Sequence, residues 1–257
     1  MSNAHYWEGK DERAKRALKH TKEMEDAYGE EIRDRINRSV IYRSCEPVAA
    51  VGEPTFVVTS NDSVSEIFAQ DYERAVVLNF ASYKNAGGGF TKGSCAQEES
   101  LCMESYLFNV LRSFQLKFYE FNGERLKRGL YTDAAIYTPE VLFLKDDAVK
   151  LKYCDVLTCA APNNSLRFKY HSFTEEENTA ALKQRVEFVR NIIESAGVDV
   201  AILGAWGCGV FQQDAREVAT LFKEAFSQTN LSRVVFAVPC SEHSRENYEA
   251  FVDVFSK

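Results

Sequence analysis

No apolar run in the 257 residues approaches the stretch of about 18 that a membrane-crossing helix needs. The start carries no signal-peptide pattern, so the expected location is the cytoplasm. The seven cysteines, Cys45, Cys95, Cys102, Cys154, Cys159, Cys208 and Cys240, include no Cys-x-x-Cys pair. Their scatter argues against a zinc site and against a disulfide framework, and reads as reduced thiols. The four histidines, His5, His20, His171 and His243, are dispersed, with no metal-ligand spacing and no Ser/His/Asp set; His171 and His243 read as surface or helix-cap residues. Positive charge is in short supply: the net charge is −7 and the pI about 5.3. No global basic field therefore draws in nucleic acid or an anionic membrane, and a polyanionic ligand would have to be held locally, by backbone N–H groups or helix ends. Internal repeats, low-complexity segments and a linker that would force a second domain are also missing.

What is there is enough for a large core: 45% of residues are hydrophobic and 12% aromatic. Residues 7–38 are highly charged, with Ala14, Leu18, Met24, Tyr28 and Ile32 as a thin apolar stripe at helical spacing. They read as one or two helices strapped across a surface or as a solvated appendage, with Gly29 a break point. Short β-rich runs follow at 40–43 and 55–59, then a turn at Ser60–Ser63 and a short helix from about 63 to 71. The strand 76–80 is nearly all apolar, which predicts burial on both faces. Beyond it Ser94 and Gln97 fit a capping box, opening a helix whose core face is Leu107, Val110, Leu111 and Phe114. Residues 135–139 read as a strand or a pair of extended pieces, Lys145–Asp147 as a turn, and 154–162 as a strand stopped by Pro162. From about residue 150, strands and helices alternate: a helix opened by Thr174 and Glu177, a strand at 198–205, a helix opened by Asp214 and Glu217, a strand at 233–238 and a final helix. That alternation predicts an α/β fold with a parallel or mixed sheet and helices on both faces.

Two of these strands end in glycine-rich turns that lead into a helix: Gly87-Gly88-Gly89 after the first, and Gly204–Gly209 after the second. Consecutive glycines are costly in backbone entropy and suit places where φ is positive or a ligand comes close. In open α/β sheets ligands sit beyond the carboxyl ends of the strands. The loops read either as anion-binding turns that grip a phosphate or diphosphate from two sides, or as tight strand–helix turns only. They match neither Gly-x-Gly-x-x-Gly nor the Walker pattern. Glu98 and Glu99 read in two ways as well. Acids in a first helical turn favour the helix dipole. A carboxylate beside an anion site has its pKa raised, which suits a general acid. Phe90 and Phe211, directly after the glycine runs, are core residues or rings that pack on a sugar or base. Cys208 reads as a space filler.

The triple glycine followed, seven residues later, by Gln97-Glu98-Glu99 resembles the signature of poly(ADP-ribose) glycohydrolases. So do the stretches Leu78–Ser82, Ala96–Ser100, Gly129–Asp133, Ala160–Asn163 and Gly204–Phe211, which are similar to the bacterial-type (microbial), macrodomain-related branch. The resemblance covers nearly the whole chain. It implies a macrodomain-like three-layer α/β/α sandwich with a mixed central sheet (39–257) and an N-terminal helical extension (1–38). It implies exo-type hydrolysis of the ribose–ribose O-glycosidic bond of poly(ADP-ribose) or ADP-ribosylated proteins, releasing ADP-ribose, with no cofactor and no metal. By the same resemblance Glu99 is the catalytic acid and Glu98 positions the ribose hydroxyls. Gly87, Gly88 and Gly89 approach the diphosphate and distal ribose from one side, and Gly207, Cys208, Gly209 and Val210 from the other. Phe211 packs on the distal ribose, Asn85 contacts it, Phe90 and Gln97 join the site, and adenine lies near Thr59–Asp62. Adjacent helical residues point about 100° apart, which argues against a pair of carboxylates flanking one bond and for a single acid. Removal of a single ADP-ribose from protein or nucleic acid, an ADP-ribose reader without catalysis, and a scaffold role are the alternatives; the intact Gln97-Glu98-Glu99 argues against the reader and the two intact glycine loops against the scaffold.

Overall fold

The structure, a computed structural model, describes residues 9–69, 71–145, 149–242 and 244–256. The described strands form one seven-stranded sheet: β1 (Val40–Tyr42), β2 (Thr55–Thr59), β3 (Ala75–Phe80), β4 (Ala135–Lys145), β5 (Lys150–Cys159), β6 (Val200–Leu203) and β7 (Arg233–Ala237), in the order β1-β4-β5-β3-β6-β7-β2. β5, β3, β6, β7 and β2 are parallel, while β4 runs antiparallel to both β5 and β1, so the sheet is mixed. β3 lies at its centre and is buried from Ala75 to Asn79. Ala75 and Val77 pack into one core and Val76 and Leu78 into the other, the alternation expected of a strand covered on both faces.

One face carries α1 (Lys10–Arg38), α2 (Ser63–Ala69), α3 (Gln97–Met103), α4 (Leu107–Leu111) and α5 (Phe121–Gly123). The other carries α6 (Ser165–Tyr170), α7 (Glu175–Ala196), α8 (Ala215–Ala225) and α9 (Arg245–Phe255). The caps of α7 and α8 are those the sequence predicts. Thr174 and Glu177 form a reciprocal capping box, Gly197 closes α7 in the left-handed region, and Asp214 accepts from the Glu217 N–H at 2.8 Å.

Two expectations need correction and two are made specific. α1 is one helix bent at Tyr28 (φ −128°, ψ 21°), the residue before Gly29, and its inward face holds Ala17, Thr21 and Ile32, while Leu18 is exposed. It straps the core rather than floating as an appendage. The helix expected from Ser94 through Phe114 is broken at 104–106, where Ser105 bridges to Phe143 of β4 and its hydroxyl accepts from the Leu107 N–H at 3.0 Å. A 3₁₀ turn at 112–114 and a π-helical stretch at Gln115–Glu120 follow. Ser94 does not cap α3; Ala96 does. The 135–139 run belongs to a longer strand with a bulge between Thr138 and Val141. Asp146, Asp147 and His243 lie outside the described residues. No described helix is long and apolar enough to cross a membrane.

Candidate active site

The sequence builds the site at the carboxyl ends of the parallel strands. After β3 the chain turns through Ala81–Asn85 into the triple glycine, where Gly87 and Gly88 hold φ of 64° and 62°, a region L side chains rarely occupy. Space is as tight as the backbone: a Cβ on Gly88 would lie 2.6 Å from Glu99 Oε1 and 2.8 Å from Glu98 Oε2. Both carboxylates therefore converge on one glycine, although adjacent helical side chains diverge at their roots. The two long side chains bend back toward the loop to meet there, which is not the same as flanking one bond from opposite sides.

α3 aims them. Its cap residue, Ala96, has no side-chain acceptor, and the Glu99 carboxylate takes the capping role: Oε2 accepts from the Ala96 N–H at 3.0 Å and Oε1 from the Gly89 N–H at 2.8 Å. Glu98 turns into the sheet. Its Oε2 accepts from the Ser82 N–H at 2.7 Å, and its Oε1 from the Asn79 side-chain amide at 3.3 Å. The two residues are only 3% and 9% exposed. Burial, reinforced by the nearby Glu99 charge, pushes the Glu98 carboxyl up to about 8, against the opposing bond from Ser82. Gln97 ties the helix to the strand: its Oε1 accepts from the Phe80 N–H at 2.9 Å, and its Nε2 donates to the Leu78 carbonyl at 2.8 Å and to Ser63 Oγ at 3.1 Å. Both ends of its amide are thus engaged by the protein. Phe90 takes the core alternative, buried against Phe108 and His20, so its ring does not face a ligand. Asn85 stands exposed on the rim, its amide 3.4 Å from Ser82 Oγ.

The second loop follows β6. Gly207 holds φ 80° and abuts Ala161 and Gln213. Buried Trp206 anchors the turn by donating to the Cys159 carbonyl at 3.2 Å. A Cβ on Gly209 would meet nothing within 4 Å, and Val210 is 82% exposed, so this backbone is open to a ligand. Cys208 is half-buried with its thiol 3.8 Å from the Trp206 carbonyl, and burial pushes that thiol far above its usual range, consistent with an inert filler.

Beside the second loop lies a cavity of about 410 Å³. Gly207, Gly209, Val210 and Phe211 line it together with Ala96, Gln97, Asp62 and Asn247, whereas Gly87, Gly88 and Gly89 do not. Neither carboxylate lines it; both stand beside it, behind Gly88. No lysine, arginine or histidine is among the described residues that line it. Two aromatic residues that the sequence did not single out as ligand contacts complete the Phe211 end. Tyr131 meets Phe211 edge to face at 6.3 Å and stacks on Tyr83 at 4.1 Å. Tyr83 is fixed by a 2.6 Å bond with Thr132 Oγ1, and Tyr131 itself has φ 63°. Only a positive-φ tyrosine beside Gly129 would have signalled this stack, and composition does not reveal φ.

The microbial-type PARG (poly(ADP-ribose) glycohydrolase) catalytic-domain family model matches residues 6–146, more than half of the chain. The chain belongs to that family. The microbial poly(ADP-ribose) glycohydrolases are glycoside hydrolases, and so is this enzyme. Solved structures of the family align over almost the whole length. The poly(ADP-ribose) glycohydrolase of Thermomonospora curvata superposes with a TM-score of 0.82 at 26% identity, covering 95% of this chain and 99% of that one. The same enzyme bound to the inhibitor ADP-HPD gives 0.81 at 27%, covering 95% and 99%. The Deinococcus radiodurans enzyme in complex with ADP-ribose gives 0.72 at 29%, covering 92% and 97%. No curated protein sequence matches the chain.

Proposed function

We propose that the enzyme removes terminal ADP-ribose units from poly(ADP-ribose) by hydrolysing the ribose–ribose O-glycosidic bond, with Glu99 as general acid and base. The observation that carries this reading is the convergence of two buried carboxylates on Gly88, beside a cavity walled by glycine backbone. The adenine end of the substrate lies toward Asp62, the diphosphate lies along the backbone of Gly207–Val210, and the distal ribose lies over Gly88 against Phe211. Asn85 reaches that ribose from the rim. Gln97 supports the site by locking α3 to β3.

Two carboxylates held this close cannot easily both be ionised, so the pair enters the reaction holding a proton. Glu99 delivers a proton to the 2′ oxygen of the departing ribose as the C1″–O bond breaks and its electrons pass to that oxygen. The cationic C1″ that forms is stabilised by the substrate's own diphosphate. The Glu99 carboxylate then takes a proton from water, whose oxygen bonds to C1″, and the acid is restored. Glu98, pinned by Ser82 and Asn79, orients the ribose hydroxyls. Water is the only co-reactant.

The deciding experiment is release of free ADP-ribose from poly(ADP-ribose) by the purified enzyme, with Glu99→Gln alongside and a chelator added. The expected outcome is release that the chelator leaves unchanged and that falls about a thousandfold in the variant. Tight binding of ADP-ribose without release overturns the chain-hydrolase reading and redirects the test to proteins or nucleic acids carrying a single ADP-ribose.

A further inference from the structure

Directly beyond Phe211 the enzyme presents a short basic and aromatic helix. The Ser165 N–H donates to the Phe211 carbonyl at 2.9 Å and the Asn164 side-chain amide to the Gln212 carbonyl at 2.9 Å, so α6 is clamped to the end of the second glycine loop. No residue of α6 is buried. Phe168 and Tyr170 are 56% and 62% exposed, and the Arg167 guanidinium and Lys169 ammonium stand 4.4 Å and 5.1 Å from their respective ring centres. The turn holding Lys127 and Arg128 sits against the same helix, because the Asn163 N–H donates to the Gly129 carbonyl at 2.8 Å and Gly129 abuts Leu166.

A single exposed aromatic is ordinary on a soluble surface. Four cations and two open rings on one rim of an enzyme with a net charge of −7 are not. Arg128 and Arg167 are partly answered by Glu177 at 2.9 Å and Glu175 at 3.6 Å. Lys127 and Lys169 have no acid partner among the described residues. No described residue that lines the cavity is basic, and these four cations lie outside it, past the Phe211 end. Stacked rings beside cations are the usual way to hold single-stranded nucleotide polymers.

We infer that the rim of α6 and the 127–128 turn seats the next ADP-ribose unit of the polymer, the one that leaves when the terminal unit is cut. Its adenine stacks on Phe168 or Tyr170 and its diphosphate lies against Lys127 and Lys169. This rests on the proposed chain cleavage, which puts the scissile bond between Glu99 and Phe211 and sends the leaving strand out past Phe211. α6 is about 9 Å long, a span that one nucleotide unit covers. The rim makes the enzyme favour polymer over ADP-ribose bonded to a small group.

The test uses two double variants of the full chain, Phe168→Ala with Tyr170→Ala and Lys127→Glu with Lys169→Glu, on two substrates: long poly(ADP-ribose) and ADP-ribose carrying a small aryl leaving group at C1″. The expected result is a KM for the polymer raised about tenfold in each variant, in line with stacking losses of known size, with kcat and the small-substrate rate within twofold of the parent. An unchanged polymer KM overturns the inference. Equal losses on both substrates also overturn it, because they report damage to the catalytic site. Competition by single-stranded RNA as strong as that by the polymer would make the rim a general nucleic-acid surface and reject it as well. Failure of the parent enzyme on both substrates is a different result and counts against the proposed function, not against the rim.

Discussion

At the residue scale the site turns on Gly88. Its φ of 62° and the two carboxylate oxygens within 3 Å of its missing Cβ leave no room for a methyl group. Gly88→Ala is expected to cost about 1–3 kcal/mol of stability from backbone strain. ADP-ribose release should drop at least a hundredfold, because both carboxylates must swing away. Thermal melting and turnover on the same preparation check it, and a fully active Gly88→Ala would refute the convergence as functional. The triple glycine was legible as a place of positive φ and close approach. That Gln97 serves the sheet was not, and of the two readings open for Phe90 only the fold selects the core, because their partners Leu78, Ser63 and His20 are brought to them only by the fold. Glu98 gives a second expectation. With its carboxyl raised to about 8, the folded state binds a proton that the unfolded state has already released near its ordinary value of 4.5. Glu98 therefore costs no stability below about 4.5, and the cost grows as pH rises until it is complete above about 8. Glu98→Gln should melt higher than the parent at pH 9 and close to it at pH 4.5. In the parent the rate should fall on the alkaline side near pH 8 as the pair loses its proton. Parallel melting curves at every pH would refute the assignment.

At the scale of elements, α1 braces the first glycine loop from behind. Arg13 donates to the Gly93 carbonyl at 2.8 Å, and the His20 ring packs on Phe90 while its Nε2 lies 2.8 Å from the Ser105 carbonyl. A carbonyl only accepts, so Nε2 carries hydrogen. Burial lowers the His20 pKa, outweighing the Ser105 bond. The unfolded chain therefore takes up the proton first as pH falls below about 6.5, and the stability His20 contributes is complete above that point and lost below it. The melting temperature should fall between pH 7.5 and 5.5 by less in His20→Gln than in the parent. Each kcal/mol is worth about 2–4 °C in a chain of this size, so differential scanning calorimetry resolves it. An identical fall in both would remove His20 from the account. Sequence periodicity located α7, α8 and the strands between them, where local caps such as Thr174 and Asp214 decide the ends. It failed across 94–120, where Ser105 pairs with Phe143 and splits an apparent single helix. That pairing joins residues far apart in the chain, and no local pattern encodes it.

At the scale of the molecule, the negative net charge is compatible with a polyanionic substrate if the diphosphate is held by backbone rather than by cations. In the proposed pose it meets the backbone of the 207–210 loop, and no described residue lining the cavity is basic, so binding there releases few counterions. The affinity for monomeric ADP-ribose is accordingly expected to change less than about twofold between 50 and 200 mM salt, measured by calorimetry, whereas cation-dominated nucleic-acid binding loses orders of magnitude over the same range. A tenfold loss for the monomer would mean that side-chain cations reach the diphosphate after all and that the glycine backbone is not its main partner. The same argument makes selection among polyanions a matter of shape: fixed backbone dipoles favour an anion whose geometry fits the proposed site, while a basic surface rewards any anion.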